Sequence, residues 1–169
     1  MRTGVYPGTF NPLTVAHVAI AEAAVAAHAL DRLDLVVSRV ALGKEHLEDP
    51  LLDDRLTVLE RAAATRQWMG VGVTDIQLVS DIAQGYDVVV MGADKWQQLN
   101  DAQFYGGSIE ARDDALARLP TLAIVDRPPL RAPDEHRLEV PAELNGVSST
   151  AVREGRHEWL APENTTWRK

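Results

Sequence analysis

Tyr6-Pro7-Gly8-Thr9-Phe10-Asn11-Pro12-Leu13-Thr14-Val15-Ala16-His17 reads as the end of a strand, a turn and the start of a helix. Gly8 permits a turn that a side chain would block, and Pro7 and Pro12 stiffen its flanks. Thr14 stands where a helix N-cap belongs, so the first N–H groups of the next helix, with the positive end of its dipole, face the loop. That is an anion site in outline. His17 follows three residues later, on the same side of the first helical turn, where it can point at whatever the loop holds. Ordinary α/β punctuation has the same look, with His17 a surface or cap residue, so the remainder of the chain has to decide.

Outward from this stretch, the alternation of elements continues. Arg2 to Tyr6 is a short strand, and Val15 to Leu30 an Ala-rich helix able to pack closely on a sheet and covered on most sides. Leu33 to Val40 has the Val/Leu run of a strand buried on both faces. A polar loop, Leu42 to Pro50, leads to a helix that begins at Asp53. Val71 to Thr74 is a weak strand, Asp75 to Gln84 a short amphipathic helix stopped by Gly85, and Tyr86 to Met91 the clearest buried strand. A charged helix covering Asp113 to Leu119, a strand over Thr121 to Val125, a short strand over Leu138 to Val140, a turn at Asn145-Gly146 and a capped helix over Ser148 to Gly155 complete the chain. Strand–helix alternation predicts a single Rossmann-like domain spanning residues 1–169: a doubly wound parallel sheet with helices on both faces. Ligands of such sheets bind at the carboxyl ends of the strands, near the switch point, and every candidate residue falls at such an end.

Bulk properties narrow the partners. The 169 residues suffice for one full core and are short for two. A net charge of -8 and a pI near 5.0 argue against non-specific nucleic-acid or anionic-membrane binding and favour small molecules. Cysteine is absent, which removes disulfides, thiolate nucleophiles and Cys-ligated metals. His17, Glu22 and His28 interrupt the most apolar stretch and no basic region leads into it as in a signal peptide, so nothing suggests export. His46, Glu48, Asp49, Asp53 and Asp54 match no metal-ligand spacing and read as a solvated charge run.

Gly8, Phe10, Pro12, Thr14 and His17 resemble the first signature of the nucleotidyltransferase superfamily, GxFxPxxxGH with His or Thr three residues before the final His. Val147-Ser148-Ser149-Thr150-Ala151-Val152-Arg153 resembles its second signature, ISSTxxR, close to the C-terminus where the family places it. Two signatures in the right order weigh far more than either alone. Read physically, Ser148, Ser149 and Thr150 offer hydroxyls and N–H groups at a helix start, with Arg153 on the same face as Ser149. By itself the Ser-Ser-Thr is more simply an N-cap box; its pairing with the first loop favours a phosphate cradle.

Gly92-Ala93-Asp94 is similar to the Gly-Ala-Asp of nicotinate-nucleotide adenylyltransferases, where Asp94 would accept ribose hydroxyls; Phe104-Tyr105 and Asp126-Arg127-Pro128 are weaker matches. Lys44, followed by Arg55, resembles the phosphate-contacting Lys and Arg of pantetheine-phosphate adenylyltransferases. Trp96, near Asp94, is a candidate to stack on a base or pyridine ring, whereas Trp68 is more simply core. Ala16 and Asn11 stand where the signature has Gly and commonly Asp, and Thr14 replaces His as it does in the pantetheine-phosphate enzymes. Val71 to Leu78 lacks the Ser-Tyr-Thr segment of the nicotinate-nucleotide enzymes.

The resemblance implies a cytoplasmic adenylyltransferase that moves AMP from ATP, with Mg2+, to a small phosphate-bearing acceptor such as nicotinate or nicotinamide mononucleotide. It implies His17, Thr14, Lys44 and Arg153 as catalytic groups. ATP would be held by Gly8, Thr9, Phe10, His17, Gly92, Asp94, Ser148, Ser149, Thr150 and Arg153, and the acceptor by Lys44, Arg55, Trp96 and Arg127. A pantetheine-phosphate or cytidylyltransferase-like enzyme and a non-catalytic nucleotide-binding module stay open, as do CTP in place of ATP and a homo-oligomer.

Overall fold

A computed structural model describes residues 1–39 and 52–165. Five parallel strands, β1 (Thr3–Gly8), β2 (Arg32–Ser38), β3 (Met69–Thr74), β4 (Val88–Gly92) and β5 (Thr121–Val125), form one sheet in the order β3-β2-β1-β4-β5. The order reverses beside β1, which lies between β2 and β4. The crevice that such a reversal opens is therefore at the carboxyl end of β1, where the first loop begins.

Period-two alternation sends each strand's apolar residues into two cores. Tyr6, Leu33, Leu35, Val37, Val88, Val90, Ala123 and Val125 pack under α1 (Val15–His28) and α2 (Leu52–Ala64), which contribute Ile20, Ala21 and Ala24, and Val58, Leu59 and Ala62. On the opposite face Val5, Val36, Val89, Met91 and Ile124 meet Val79 of α3 (Val79–Ile82), Ala93 and Leu99 of α4 (Ala93–Leu99), and Leu116 of α5 (Ile109–Ala117). The doubly wound sheet with helices on both faces is thus present. α1 is covered less completely than its composition predicts: Glu22 and Ala26 face solvent at i and i+4.

Two expected elements are replaced. The helix expected from Asp75 begins at Val79, because Ser38 Oγ donates to Ile76 O over 3.1 Å and Ile76 N–H to Thr74 Oγ1 over 3.1 Å, holding residues 75–78 in irregular, non-helical backbone. Ile76 is exposed there and belongs to no apolar stripe. Leu138 to Val140 is no strand; Leu138 N–H donates once to Ile124 O, and the segment leaves the sheet. Away from the crevice, Asp34 on β2 accepts from Arg32 Nε at 2.6 Å and from the Tyr86 hydroxyl at 2.7 Å. No helix among the described residues is long and apolar enough to cross a membrane.

Candidate functional site

The loop after β1 is held by its own backbone carbonyls. Arg55 Nη1 of α2 donates to Thr9 O over 2.8 Å, Arg153 Nη1 donates to Asn11 O, Ser149 Oγ donates to Pro12 O over 2.7 Å, and Asn164 Nδ2 donates to Leu13 O over 2.8 Å. Four acceptors within five residues are met by donors from three distant parts of the chain. A loop so tied keeps one shape before any ligand arrives, which is the preorganisation that polar catalysis requires. The strained position is Phe10, whose φ of 45° is unusual for a side chain-bearing residue; the Asn11–Pro12 bond beside it is cis. Gly8 is extended strand and not the turn residue expected. It matters because a Cβ there would meet the Phe10 ring at 3.1–3.3 Å.

That ring stands edge-on to His17, with centroids 5.1 Å apart, and to Tyr6 at 5.3 Å. Thr14 caps α1 as expected and forms a capping box with His17: Thr14 N–H donates to His17 Nδ1 over 2.9 Å, while His17 N–H donates to Thr14 Oγ1 over 3.3 Å. A nitrogen that accepts a backbone N–H carries no proton, so the neutral ring holds its proton on Nε2. Burial, and then the Arg127 guanidinium, push the His17 pKa down to about 3. His17 is accordingly a neutral donor over the whole physiological range. Burial also raises the Tyr6 hydroxyl well above its ordinary value.

Around His17 the carboxyl ends of the strands enclose a cleft of about 280 Å³, close to the ~300 Å³ lower end of small-molecule sites. Gly8, Thr9, Phe10 and His17 line it from the first loop; Gly92 and Asp94 from the end of β4; Arg127 from the segment after β5. Ser148 to Thr150 and Arg153 line it from α6 (Ser149–Arg153) and its N-cap. Arg127 Nε lies 3.8 Å from Asp94 Oδ1, and Nη1 donates to Val147 O over 3.4 Å, so it ties the two halves together. The two signatures, 130 residues apart in sequence, therefore meet across one cavity.

Several residues stand elsewhere than their sequence roles imply. Thr14 is 1% exposed and does not line the cleft; its N–H and its hydroxyl serve His17. Arg55 is 3% exposed, holds Thr9 O and lines no part of the cleft; its Nε has no partner, and burial lowers its pKa. It supports the loop from behind. Trp96 packs beside His136, with ring centroids 6.4 Å apart, and against the second core, outside the cleft. Ser149 and Arg153 reach the cleft but spend donors on the loop, and Thr150 Oγ1 accepts from Arg153 Nη2 over 3.1 Å. Lys44 lies outside the described residues, as do His46, Glu48 and Asp49.

The cleft also contains Lys95, which carries no role in either signature; its Nζ donates to Gln98 Oε1 over 2.9 Å. Its signal was place: it follows Asp94 at the carboxyl end of the best strand. Among the described residues no group of three or more His, Asp or Glu gathers as metal ligands would. Of the two aspartates at the cleft, Asp126 already accepts from Ala132 N–H and Arg137 Nε, while Asp94 is exposed beside Arg127.

The family model for cytidylyltransferase-like proteins matches residues 5–155. Among solved structures, Plasmodium falciparum nicotinic acid mononucleotide adenylyltransferase complexed with NaAD is similar with a TM-score of 0.65. The likeness covers 96% of this chain and 92% of that one at 12% identity, and it is a likeness of fold. No curated protein matches the chain.

Proposed function

Because the chain belongs to the cytidylyltransferase-like family of nucleotidyltransferases, we propose that it transfers AMP from ATP to the phosphate of nicotinate or nicotinamide mononucleotide. A phosphate oxygen of the acceptor attacks the α-phosphorus of ATP, the new P–O bond forms as the bond to the β-phosphate bridge breaks, and pyrophosphate leaves with the electron pair. Such chemistry asks for in-line positioning and charge stabilisation, with no covalent enzyme intermediate.

The observation that carries the reading is His17, fixed at the cleft as a neutral Nε2–H donor. It would donate to an α-phosphate oxygen as negative charge grows there, without itself giving up a proton. Arg153 and Lys95 would offset charge on the transferring and leaving phosphates, with Lys44 added from the sequence resemblance. Asp94 would accept ribose hydroxyls, and Arg127 would face the acceptor. Mg2+ would enter as part of the substrate, carried on the oxygens of the triphosphate, as this ion commonly is.

One observation favours a second acceptor, pantetheine phosphate. Trp96, the candidate to stack on a pyridine ring, lies outside the cleft, whose lining includes Ser38, Gln77, Val79, Ile82 and Gln98. Pyrophosphate release from ATP and Mg2+, measured across nicotinate mononucleotide, nicotinamide mononucleotide, phosphopantetheine and sugar phosphates, tests both. Release with a pyridine mononucleotide is the expected result. Release with phosphopantetheine alone transfers the proposal to that acceptor, and ATP binding without release from any acceptor refutes transfer in favour of a binding module.

A further inference from the structure

Residues 160–165 lie beyond the stretch that matches the family, yet they close on the first loop. Leu160 forms an isolated antiparallel bridge with Thr14, and Ala161 N–H donates to Leu13 O over 3.1 Å. Asn164 Nδ2 donates to the same Leu13 oxygen over 2.8 Å and to Ala161 O over 2.8 Å. Arg66 anchors this segment through Glu163 Oε1 at 2.9 Å, and Arg61 Nη1 donates to Thr165 Oγ1 over 2.6 Å.

Leu13 C=O and Thr14 N–H are the two ends of one planar peptide group, so whatever holds the oxygen also sets the direction of the N–H. That N–H is the donor to His17 Nδ1, and it decides which ring nitrogen carries the proton. A donor on the oxygen further polarises the group and strengthens the bond on its far side. We infer that Asn164 is a positioning residue for His17: its side-chain amide, the shorter of the two donors on Leu13 O beside Ala161 N–H, holds the Leu13–Thr14 peptide and, through it, the tautomer and aim of the imidazole. The kinetic consequence rests on the adenylyl-transfer reading; the structural one does not.

The test uses the full chain with Asn164→Ala, which removes the amide, and Asn164→Asp, which keeps size and packing but turns acceptors toward two carbonyls. Thermal melting first establishes that each is folded, and Asn164→Asp carries the test where alanine loosens the tail. Two-bond 1H–15N spectra report the His17 tautomer, a property that simple anchoring of the tail would not move. Wild type should show the Nε2–H form, and the variants a mixture with Nδ1–H. Turnover should fall about tenfold, the worth of one ordinary hydrogen bond, with the KM values for ATP and acceptor changed less than about twofold. In a His17→Ala background the same substitutions should cost nothing further, because both act through one group. An unchanged tautomer in a folded variant, or an equal loss without His17, overturns the inference. A wild-type protein that releases no pyrophosphate with any acceptor overturns the proposed function instead, and the spectra still decide on Asn164.

Discussion

His17 should make the stability of this protein sensitive to mild acid. Burial first, and Arg127 second, hold its pKa at about 3 against an ordinary value of 6.5. Between those values the unfolded chain binds a proton at this ring that the folded chain refuses, so stability rises with pH across the window. The stabilisation is complete above the ordinary value and declines as pH falls toward the depressed one. Each pKa unit corresponds to about 1.4 kcal/mol, so acidification to about pH 5, above most carboxylate titrations, removes about 2 kcal/mol. For a chain of this length that is a fall in Tm of roughly 4–8 °C. The comparison is with His17→Gln, which cannot titrate: melting both proteins at about pH 7.5 and about pH 5 isolates the contribution of this ring. His28, whose pKa burial also lowers, remains in both proteins and cancels. Equal losses of Tm in wild type and His17→Gln would show that this ring is not held neutral by the fold, as would an NMR titration of His17 with its midpoint near 6.5.

His17→Ala, read by pyrophosphate release with the true acceptor, should slow turnover roughly 100- to 1000-fold while keeping the fold, as loss of one preorganised donor does. Arg55→Met removes a buried guanidinium whose Nε has no partner; urea melts should move by about 2 kcal/mol or less, and the acceptor KM by no more than about twofold. A tenfold rise in that KM would restore Arg55 to the substrate. Gly8→Ala places a methyl 3.1 Å from the Phe10 ring; displacing the ring behind His17 should lower turnover roughly tenfold, measured at saturating ATP and acceptor. Gly70→Ala sets a Cβ 2.0 Å from Asp34 Oδ1 and 2.5 Å from Arg32 Nη2. It should cost about 1–3 kcal/mol in denaturant melts and leave turnover alone, because this cluster lies toward the amino ends of the strands.

Local chemistry made the outline of this fold legible. Gly and Pro around residues 7–12, a Thr at an N-cap and Val/Leu runs at 33–38, 88–91 and 121–125 are written in neighbouring residues, and they located β1, α1, β4 and β5 to within two residues. Mistakes arose where a remote partner settles the conformation. Ser38 holds the Ile76 carbonyl outside a helix, and nothing between Asp75 and Gln84 announces it. Within the site, residue type pointed to the cleft at His17, Asp94, Arg127 and Ser148 to Arg153, but not to what each side chain does there. Thr14 and Arg55 look like phosphate ligands by type and instead serve the protein's own ring and backbone. Asn164, 151 positions from its acceptor, left no pattern to read, since a side-chain-to-carbonyl contact has neither period nor motif.

The order in which the loop's clamps occur along the chain has a consequence for biosynthesis. A nascent polypeptide that has emerged as far as Val125 already possesses all five strands and the first clamp, Arg55. The carbonyls of Asn11, Pro12 and Leu13 still await Arg153, Ser149 and Asn164. The sheet is thus synthesised before three of the four donors that hold the first loop, and that loop can take its tied shape only once Asn164 has emerged.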